Sequence, residues 1–345
     1  MSKGLNLIFF FGRPLSPFYS ALMKVREKLY RAGVFRQHCL SVPVLSLGNL
    51  VLGGTGKTPM VRHVADLLLR HGYRPAIVSR GYGGKTREAV TIVSDGKTVL
   101  SSPALAGDES CLLAQSLPGV PVLTGRRRFA PCLVAIDQFQ VDIIILDDGF
   151  QHLPVKRNLD IVLFDGSALA GNSRVFPAGP LREPVSALKR CQAFLLTGKN
   201  SENSVRVDKF ADLLQQRFPD RPIFTSSINA VLFGPEGTPA QNYMSQKFFG
   251  FCGIANPSRF EKSLTGLGVD LVSMQPLKDH APYNQTLVSN ICKKAIACGA
   301  ESLVTTEKDF VKLSGFDLQL PLYILKIHHD VEQDFDRFLL NSLKE

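Results

Sequence analysis

The stretch Val42-Pro-Val-Leu-Ser-Leu-Gly-Asn-Leu-Val-Leu-Gly-Gly-Thr-Gly-Lys-Thr58 decides the fold class. Its first half is a short apolar run that reads as a strand. It then breaks into glycines, and an amphipathic pattern from about residue 59 to 71 reads as a helix. A strand that turns through glycines into a helix can hold an anion. The glycines let backbone N–H groups turn inward, the helix N-terminus adds a favourable dipole, and Lys57 adds a point charge. The pattern predicts a nucleotide-phosphate site of the P-loop class, with Gly53, Gly54, Thr55, Gly56, Lys57 and Thr58 around the phosphates and the Thr58 hydroxyl on Mg2+. One letter departs from the generic G-x-x-x-x-G-K-[ST]: Val51 stands where that pattern has glycine.

Outward from this stretch, apolar runs alternate with helical patterns. Strands are expected at 74–79, 89–93, 120–123, 142–146, 159–164 and 193–196, and helices at 108–116 and about 127–139. Continuous apolar runs such as 143–146 belong to sheets covered on both faces, and the alternation implies parallel strands with right-handed crossovers. Residues 200–241 are more polar, hold several Gly and Pro, and read as a hinge. A second β-α series follows, with strands at 247–251, near Val269, at 303–305 and at 322–327, helices from Pro257 and Asn284, and a final helix. The expected architecture is α/β: a P-loop NTPase-like, mostly parallel sheet with helices on both faces over 39–220, a smaller α/β domain closing the cleft over 221–345, and a basic amphipathic segment over 1–38.

At 345 residues, 45% hydrophobic and 20% charged, the chain can bury a large core, and its formal charge of +10 favours an anionic partner. Seven cysteines at scattered positions show no zinc-ligand spacing and predict neither a disulfide nor a metal site. No run reaches the roughly 18 to 20 apolar residues of a membrane span, and no cleavable leader is apparent, which predicts an intracellular chain. Residues 1–38 carry seven basic side chains against Glu27 alone, and Phe18, Leu22, Val25 and Leu29 follow the spacing of one helix face. Such a helix suits an anionic membrane surface, while the simpler alternative is a first helix packed on its own domain. No nucleic-acid-binding motif accompanies the charge, so nucleic acid is not expected as a partner.

The strand 143–146 ends in Asp147-Asp148, where a P-loop protein holds Mg2+ directly or through water; Asp147 is the better candidate ligand, with Asp148 a second ligand or an orienting group. Arg80, in a glycine-rich turn, and Arg128, in the Arg126-Arg-Arg128 cluster, offer guanidinium forks for phosphate oxygens. Gln151 and His152 follow the acid pair closely enough to line the same cleft. No N-K-x-D motif of a guanine-selective GTPase is present, and Leu52 occupies the place where partition-type ATPases carry an early lysine. Both absences favour an ATP-using kinase.

Together these residues resemble one family, the tetraacyldisaccharide 4'-kinases of lipid A synthesis. The resemblance spans nearly the whole chain: residues 46–59, Ser79-Arg-Gly-Tyr-Gly83, Gly107-Asp-Glu109, Asp147-Asp-Gly-Phe-Gln-His152, 176–184, Gly253-Ile-Ala-Asn-Pro257, Asp279-His280 and Thr305-Thr-Glu-Lys-Asp309, in that order. The loop with Val51 suits the family as well. The resemblance implies ATP- and Mg2+-dependent phosphorylation of the 4'-hydroxyl of an acylated glucosamine disaccharide 1-phosphate at the cytoplasmic face of the inner membrane, with no obligate protein partner. It makes Asp108 the catalytic carboxylate and His280 the histidine that works with it, and makes Glu109 a candidate for the metal network. Without it, Asp108 reads as a helix N-cap and His280 as a solvated turn residue; Glu307-Lys308-Asp309 reads as a charged helix start. Two other functions use the same motifs differently. A P-loop ATPase acting as a membrane-associated conformational switch would need no acceptor, and a basic binding scaffold would have no use for Lys57 with Asp147.

Overall fold

The computed structural model describes residues 8–53 and 56–344. Among the described residues twelve strands form one sheet, in the order β10 (Asp270–Pro276), β9 (Lys247–Cys252), β11 (Ser302–Thr306), β12 (Leu322–Val331), β8 (Ile223–Phe233), β7 (Ala193–Thr197), β6 (Leu159–Asp165), β1 (Val44–Asn49), β5 (Ile143–Asp147), β2 (Pro75–Ser79), β4 (Pro121–Thr124) and β3 (Thr91–Asp95). At its middle, β1 (Val44–Asn49) lies parallel between β5 (Ile143–Asp147) and β6 (Leu159–Asp165), and all three are buried throughout. Their alternate side chains feed opposite faces, as a two-period strand requires. Leu45, Leu47, Ile143 and Ile145 join one core with Met60, Val64 and Leu68 of the helix Lys57–Arg70. Val44, Ile144 and Leu146 join another with Cys132 and Ala135 of the helix Phe129–Phe139. Both faces are covered, which is why these strands read as unbroken apolar runs.

From β5 the sheet continues through β2 (Pro75–Ser79) and β4 (Pro121–Thr124), and β3 (Thr91–Asp95) closes that edge antiparallel to β4. The chain leaves β1, crosses over β5 and enters β2, while β6 lies on the other side of β1. The carboxyl ends of β1 and β5 therefore open into the crevice of a strand-order reversal, where open α/β sheets bind their ligands.

The other direction holds the main departure from expectation. Residues 200–241, read as a polar hinge, contain the helix Ser204–Arg217 and the eleven-residue strand β8 (Ile223–Phe233). The helix buries only Val207 and Leu214 and leaves Val205 and Leu213 exposed, so its periodicity is faint. The start of β8 pairs parallel with β7 (Ala193–Thr197) through Ser226, whereas β12 (Leu322–Val331) runs antiparallel to it from Phe233 back to Ser226. Beyond the partners on either side, the middle of this pair is a two-stranded ribbon, which explains its polar and half-exposed residues. β12 then pairs with β11 (Ser302–Thr306), followed by β9 (Lys247–Cys252) and β10 (Asp270–Pro276). Two smaller cores lie on this side, around Phe251 with Ile291 and around Phe248 with Phe260. The final helix Gln333–Ser342 returns to the first half, where Phe335 and Leu339 pack in the core of the helix Lys57–Arg70.

The helix Ser16–Arg31 has no buried residue. Ser16 Oγ donates to the Val175 carbonyl at 2.7 Å and Arg26 to the Gln151 carbonyl at 3.1 Å, which fixes one side of it to the body. On the other side, Phe18, Leu22 and Val25 are 75%, 59% and 51% exposed. The apolar stripe expected from the sequence therefore points outward rather than into the chain's own core. Residues 1–7 of the basic segment lie outside the described residues.

Candidate active site

The glycine turn begins with a valine because that position belongs to the core. Val51 is buried against Leu50, Phe150 and Leu181, and the Leu52 N–H donates to the Pro180 carbonyl at 2.8 Å. Asn49 Nδ2 holds the Val51 carbonyl at 2.7 Å. The turn tightens only after this anchor, at Gly53 (φ 115°) and Gly56 (φ 72°), in backbone regions where a side chain would be strained. Gly54 and Thr55, also expected in the cradle, lie outside the described residues. Lys57 and Thr58 open the following helix.

Two acids at the end of β5 sit in contrasting surroundings. Asp147 is buried, and among the described residues its Oδ1 has no hydrogen-bond partner. Burial, helped by the nearby charges of Glu109 and Asp148, pushes its pKa up to about 7, against the pull of Lys57 and Arg128. Asp148 leaves the strand in a left-handed conformation, φ 52°. Its Oδ1 lies 3.3 Å from Lys57 Nζ and its Oδ2 2.8 Å from Arg182 Nη1. Burial alone would raise Asp148, but Lys57 and then Arg182 outweigh it and hold it at about 2. Asp148 is thus held as an anion between Lys57 and Arg182, and burial holds Asp147 toward its neutral form.

Of the three clustered arginines, Arg126 and Arg127 point to solvent and Arg128 turns inward. It is 5% exposed, its Nη1 donates to the Asp148 carbonyl at 2.9 Å, and burial lowers its pKa despite the two aspartates. Arg80 is exposed just beyond β2 and contributes repulsion at Arg128. Gln151 Nε2 donates to the Asn49 carbonyl at 2.9 Å, which places it against the loop. His152 is held to about 3 by burial and the surrounding arginines.

Asp108 opens the helix Asp108–Ser116, but the N-cap is Gly107, and no side chain caps it. A Cβ on Gly107 would lie 2.3 Å from the Tyr82 carbonyl oxygen, so only glycine fits. The freed carboxylate reaches the other half of the chain. Asp108 Oδ2 lies 3.2 Å from His280 Nδ1 and 3.4 Å from Lys312 Nζ. The His280 ring, on a residue at φ 57°, meets the Tyr82 ring edge-on at 5.6 Å. Its Nε2 is 3.1 Å from Lys308 Nζ, which also lies 3.7 Å from Glu109 and 3.5 Å from Asp279. Glu109 connects the two clusters, since it touches Lys308 and its charge is felt at Asp147. Around Asp309, Oδ2 accepts the Gly253 N–H at 2.8 Å and Oδ1 lies 3.0 Å from Lys312 Nζ. The segment expected as a charged helix start does open the short helix Glu307–Phe310 and is also internal wiring, with Glu307 paired to Arg62 of the helix Lys57–Arg70 at 2.8 Å.

A sequence profile described as Tetraacyldisaccharide-1-P 4'-kinase matches residues 8–344. The chain belongs to this family. It is 45% identical over 338 residues to a tetraacyldisaccharide 4'-kinase of Desulfotalea psychrophila, covering 98% of this chain and 97% of that one. A tetraacyldisaccharide 4'-kinase of Geobacter metallireducens is 42% identical over 300 residues, 87% of either chain. Among solved structures, LpxK from Aquifex aeolicus in complex with ATP superposes with a TM-score of 0.76 at 28% identity, covering 96% of this chain and 98% of that one.

The residues that motif reading picked out thus fall into two groups that meet beyond the carboxyl ends of the central strands: Lys57, Asp147, Asp148 and Arg128 at the loop, and Asp108, Glu109 and His280 beside it. Motif reading gave no role to Arg182, Lys308, Lys312 or Arg62. Arg182 lies in the loop 176–184 and Lys308 in Thr305-Thr-Glu-Lys-Asp309, so recurrence of those segments in the family was the available signal, but nothing in their local spacing says what they touch.

Proposed function

We propose that the chain is an ATP-dependent kinase that transfers the γ-phosphoryl group to the 4'-hydroxyl of tetraacyldisaccharide 1-phosphate. The observation that carries this reading is the Asp108–His280 pair, which stands beside the glycine turn and the acid pair, where it can hold and deprotonate an acceptor hydroxyl. In this reading the loop N–H groups and Lys57 bind the phosphates, Asp148 and Arg182 fix the direction of Lys57, and Arg128 with Arg80 faces the charge on the transferring group. Asp108 orients the acceptor hydroxyl and receives its proton, which His280 shares while oxygen attacks phosphorus and ADP leaves.

The donor set fits Mg2+. Thr58 supplies a hydroxyl, Asp147 has a buried oxygen without a hydrogen-bond partner among the described residues, and Asp148 and Glu109 stand nearby. Magnesium is commonly held by one or two carboxylates with phosphate oxygens completing its octahedron; among the described residues no group of three His, Cys, Asp or Glu could hold a metal alone. When bound, the ion neutralises charge between the β- and γ-phosphates.

The parts 1–38, 39–220 and 221–345 serve in this reading as membrane-facing segment, kinase core and cleft-closing domain, with the final helix seated back on the core. Among the described residues no helix is long and apolar enough to cross a membrane. The exposed Phe18, Leu22 and Val25, with the basic residues around them, support a helix lying in the headgroup layer at the cytoplasmic face of the inner membrane. The deciding assay follows ATP labelled at the γ-phosphate. Label passing to the acylated disaccharide supports the kinase; label released only as inorganic phosphate, with or without the lipid, would establish the switch instead.

A further inference from the structure

The strand β12 carries a histidine whose ring ends on the glycine turn. His329 is 7% exposed, with Nε2 at 3.1 Å from the Gly56 carbonyl oxygen and Nδ1 at 3.0 Å from Ser226 Oγ. Burial lowers its pKa to about 4, so at neutral pH the ring has a single N–H. A carbonyl oxygen can only accept, so the contact with Gly56 is a hydrogen bond when the hydrogen sits on Nε2, and Nδ1 then accepts from the Ser226 hydroxyl, with the Ser227 backbone also close to the ring. Both ring nitrogens therefore have partners.

Gly56 is the residue through which the turn becomes a helix. It is left-handed, at φ 72° and ψ 22°, and the helix it opens has no side-chain cap. Its carbonyl also receives the Met60 N–H, at a long 3.3 Å. A Cβ on Gly56 would sit 2.8 Å from His329 Nε2, so the imidazole rests directly against its backbone. The ring comes from the ribbon that joins the two halves: His329 pairs with Ile228, and Ser226 pairs with Thr197 of the first half.

We propose that His329 is a positioning residue for the nucleotide, holding Gly56 in the conformation that aims the Lys57 side chain and the first helical turn at the phosphates. It acts through Gly56 and touches no phosphate itself. The inference rests on the reading of the loop as the nucleotide cradle.

The test compares His329→Ala, His329→Gln, His329→Asn and Lys57→Ala as full-length proteins. Three quantities are measured: the Kd of a fluorescent ATP analogue with Mg2+, the KM for ATP against kcat, and the unfolding midpoint without nucleotide. His329→Ala is expected to weaken nucleotide binding about tenfold, the worth of one buried hydrogen bond, with the loss falling on KM rather than kcat. Glutamine, whose amide N–H can reach the same carbonyl, should restore most of the affinity, and the shorter asparagine should not. Unchanged Kd in His329→Ala overturns the proposal, and so does a lowered unfolding midpoint with unchanged Kd, which would make the histidine purely structural. If the alanine protein does not fold, equal Kd values for the glutamine and asparagine proteins overturn it. Wild-type binding by Lys57→Ala would instead overturn the cradle reading; loss of binding there with full binding in His329→Ala removes only the positioning role.

Discussion

Asp147→Asn should make the nucleotide-free protein more stable while abolishing its activity. The carboxyl is buried, one oxygen has no hydrogen-bond partner among the described residues, and its pKa stands at about 7 against an ordinary 3.8. A difference of that size corresponds to on the order of 4 kcal/mol between the two protonation states. The sign follows from proton binding. Between about pH 4 and 7 the unfolded chain has released this proton and the folded protein retains it, so wild-type stability falls as pH rises through that window and levels off above it. Asparagine carries no such charge, so the variant lacks this part of the slope. Urea melts of both proteins at pH 5 and pH 8, without nucleotide or divalent cation, isolate the group, because every other titration is shared. The variant should gain up to about 4 kcal/mol on the wild type at pH 8 and less at pH 5. Adding Mg2+ with ATP should narrow the gap, since only the wild type gains a ligand for the ion. A variant that is less stable at pH 8, or one with the same pH slope as the wild type, refutes the assignment of Asp147 as a strained, cation-awaiting acid.

Asp108→Asn and His280→Asn should each lower kcat by about 10²- to 10⁴-fold with nucleotide binding retained; near wild-type turnover of either protein removes that residue from proton handling. Lys308→Met frees His280 Nε2 from its ammonium neighbour, and kcat should fall about 10- to 100-fold; an unchanged kcat would reduce Lys308 to a surface charge. A Phe18→Asp/Leu22→Asp protein should lose more than tenfold in binding to anionic vesicles, because each apolar side chain contributes about 1.5 to 3 kcal/mol when fully buried, and should still phosphorylate a detergent-dispersed acceptor. Vesicle binding as strong as the wild type's would mean the outward stripe serves something other than lipid.

The first half was legible because its strands are buried on both faces and its helices have one clear apolar stripe. The helix Asp108–Ser116 starts and ends where its pattern does, and Asp147 closes β5 as the apolar run promised. The ribbon was not legible: β8 is half exposed, and Ser226, Ser227 and Asn229 interrupt its apolar residues inside a stretch otherwise rich in Gly and Pro, so no unbroken run or alternation marks the strand. The active-site wiring was hidden for another reason. Apart from the local Lys312–Asp309 pair, Lys308, Lys312 and Arg182 act on partners tens to hundreds of residues away, and charged side chains leave no periodicity from which such a partner can be read. His329 is harder still, since a histidine facing a backbone carbonyl has no motif at all.

Asp108 and His280 lie 172 residues apart along the chain, one on each side of the ribbon. On the proposed reading, neither half owns the machinery for moving a proton; each holds one member and borrows the other. A fragment ending near residue 220, if it folds, would keep its glycine turn and its acids and could bind ATP, yet it would be a receptor rather than a catalyst. In that reading, the pair that handles the proton exists only where the two halves meet.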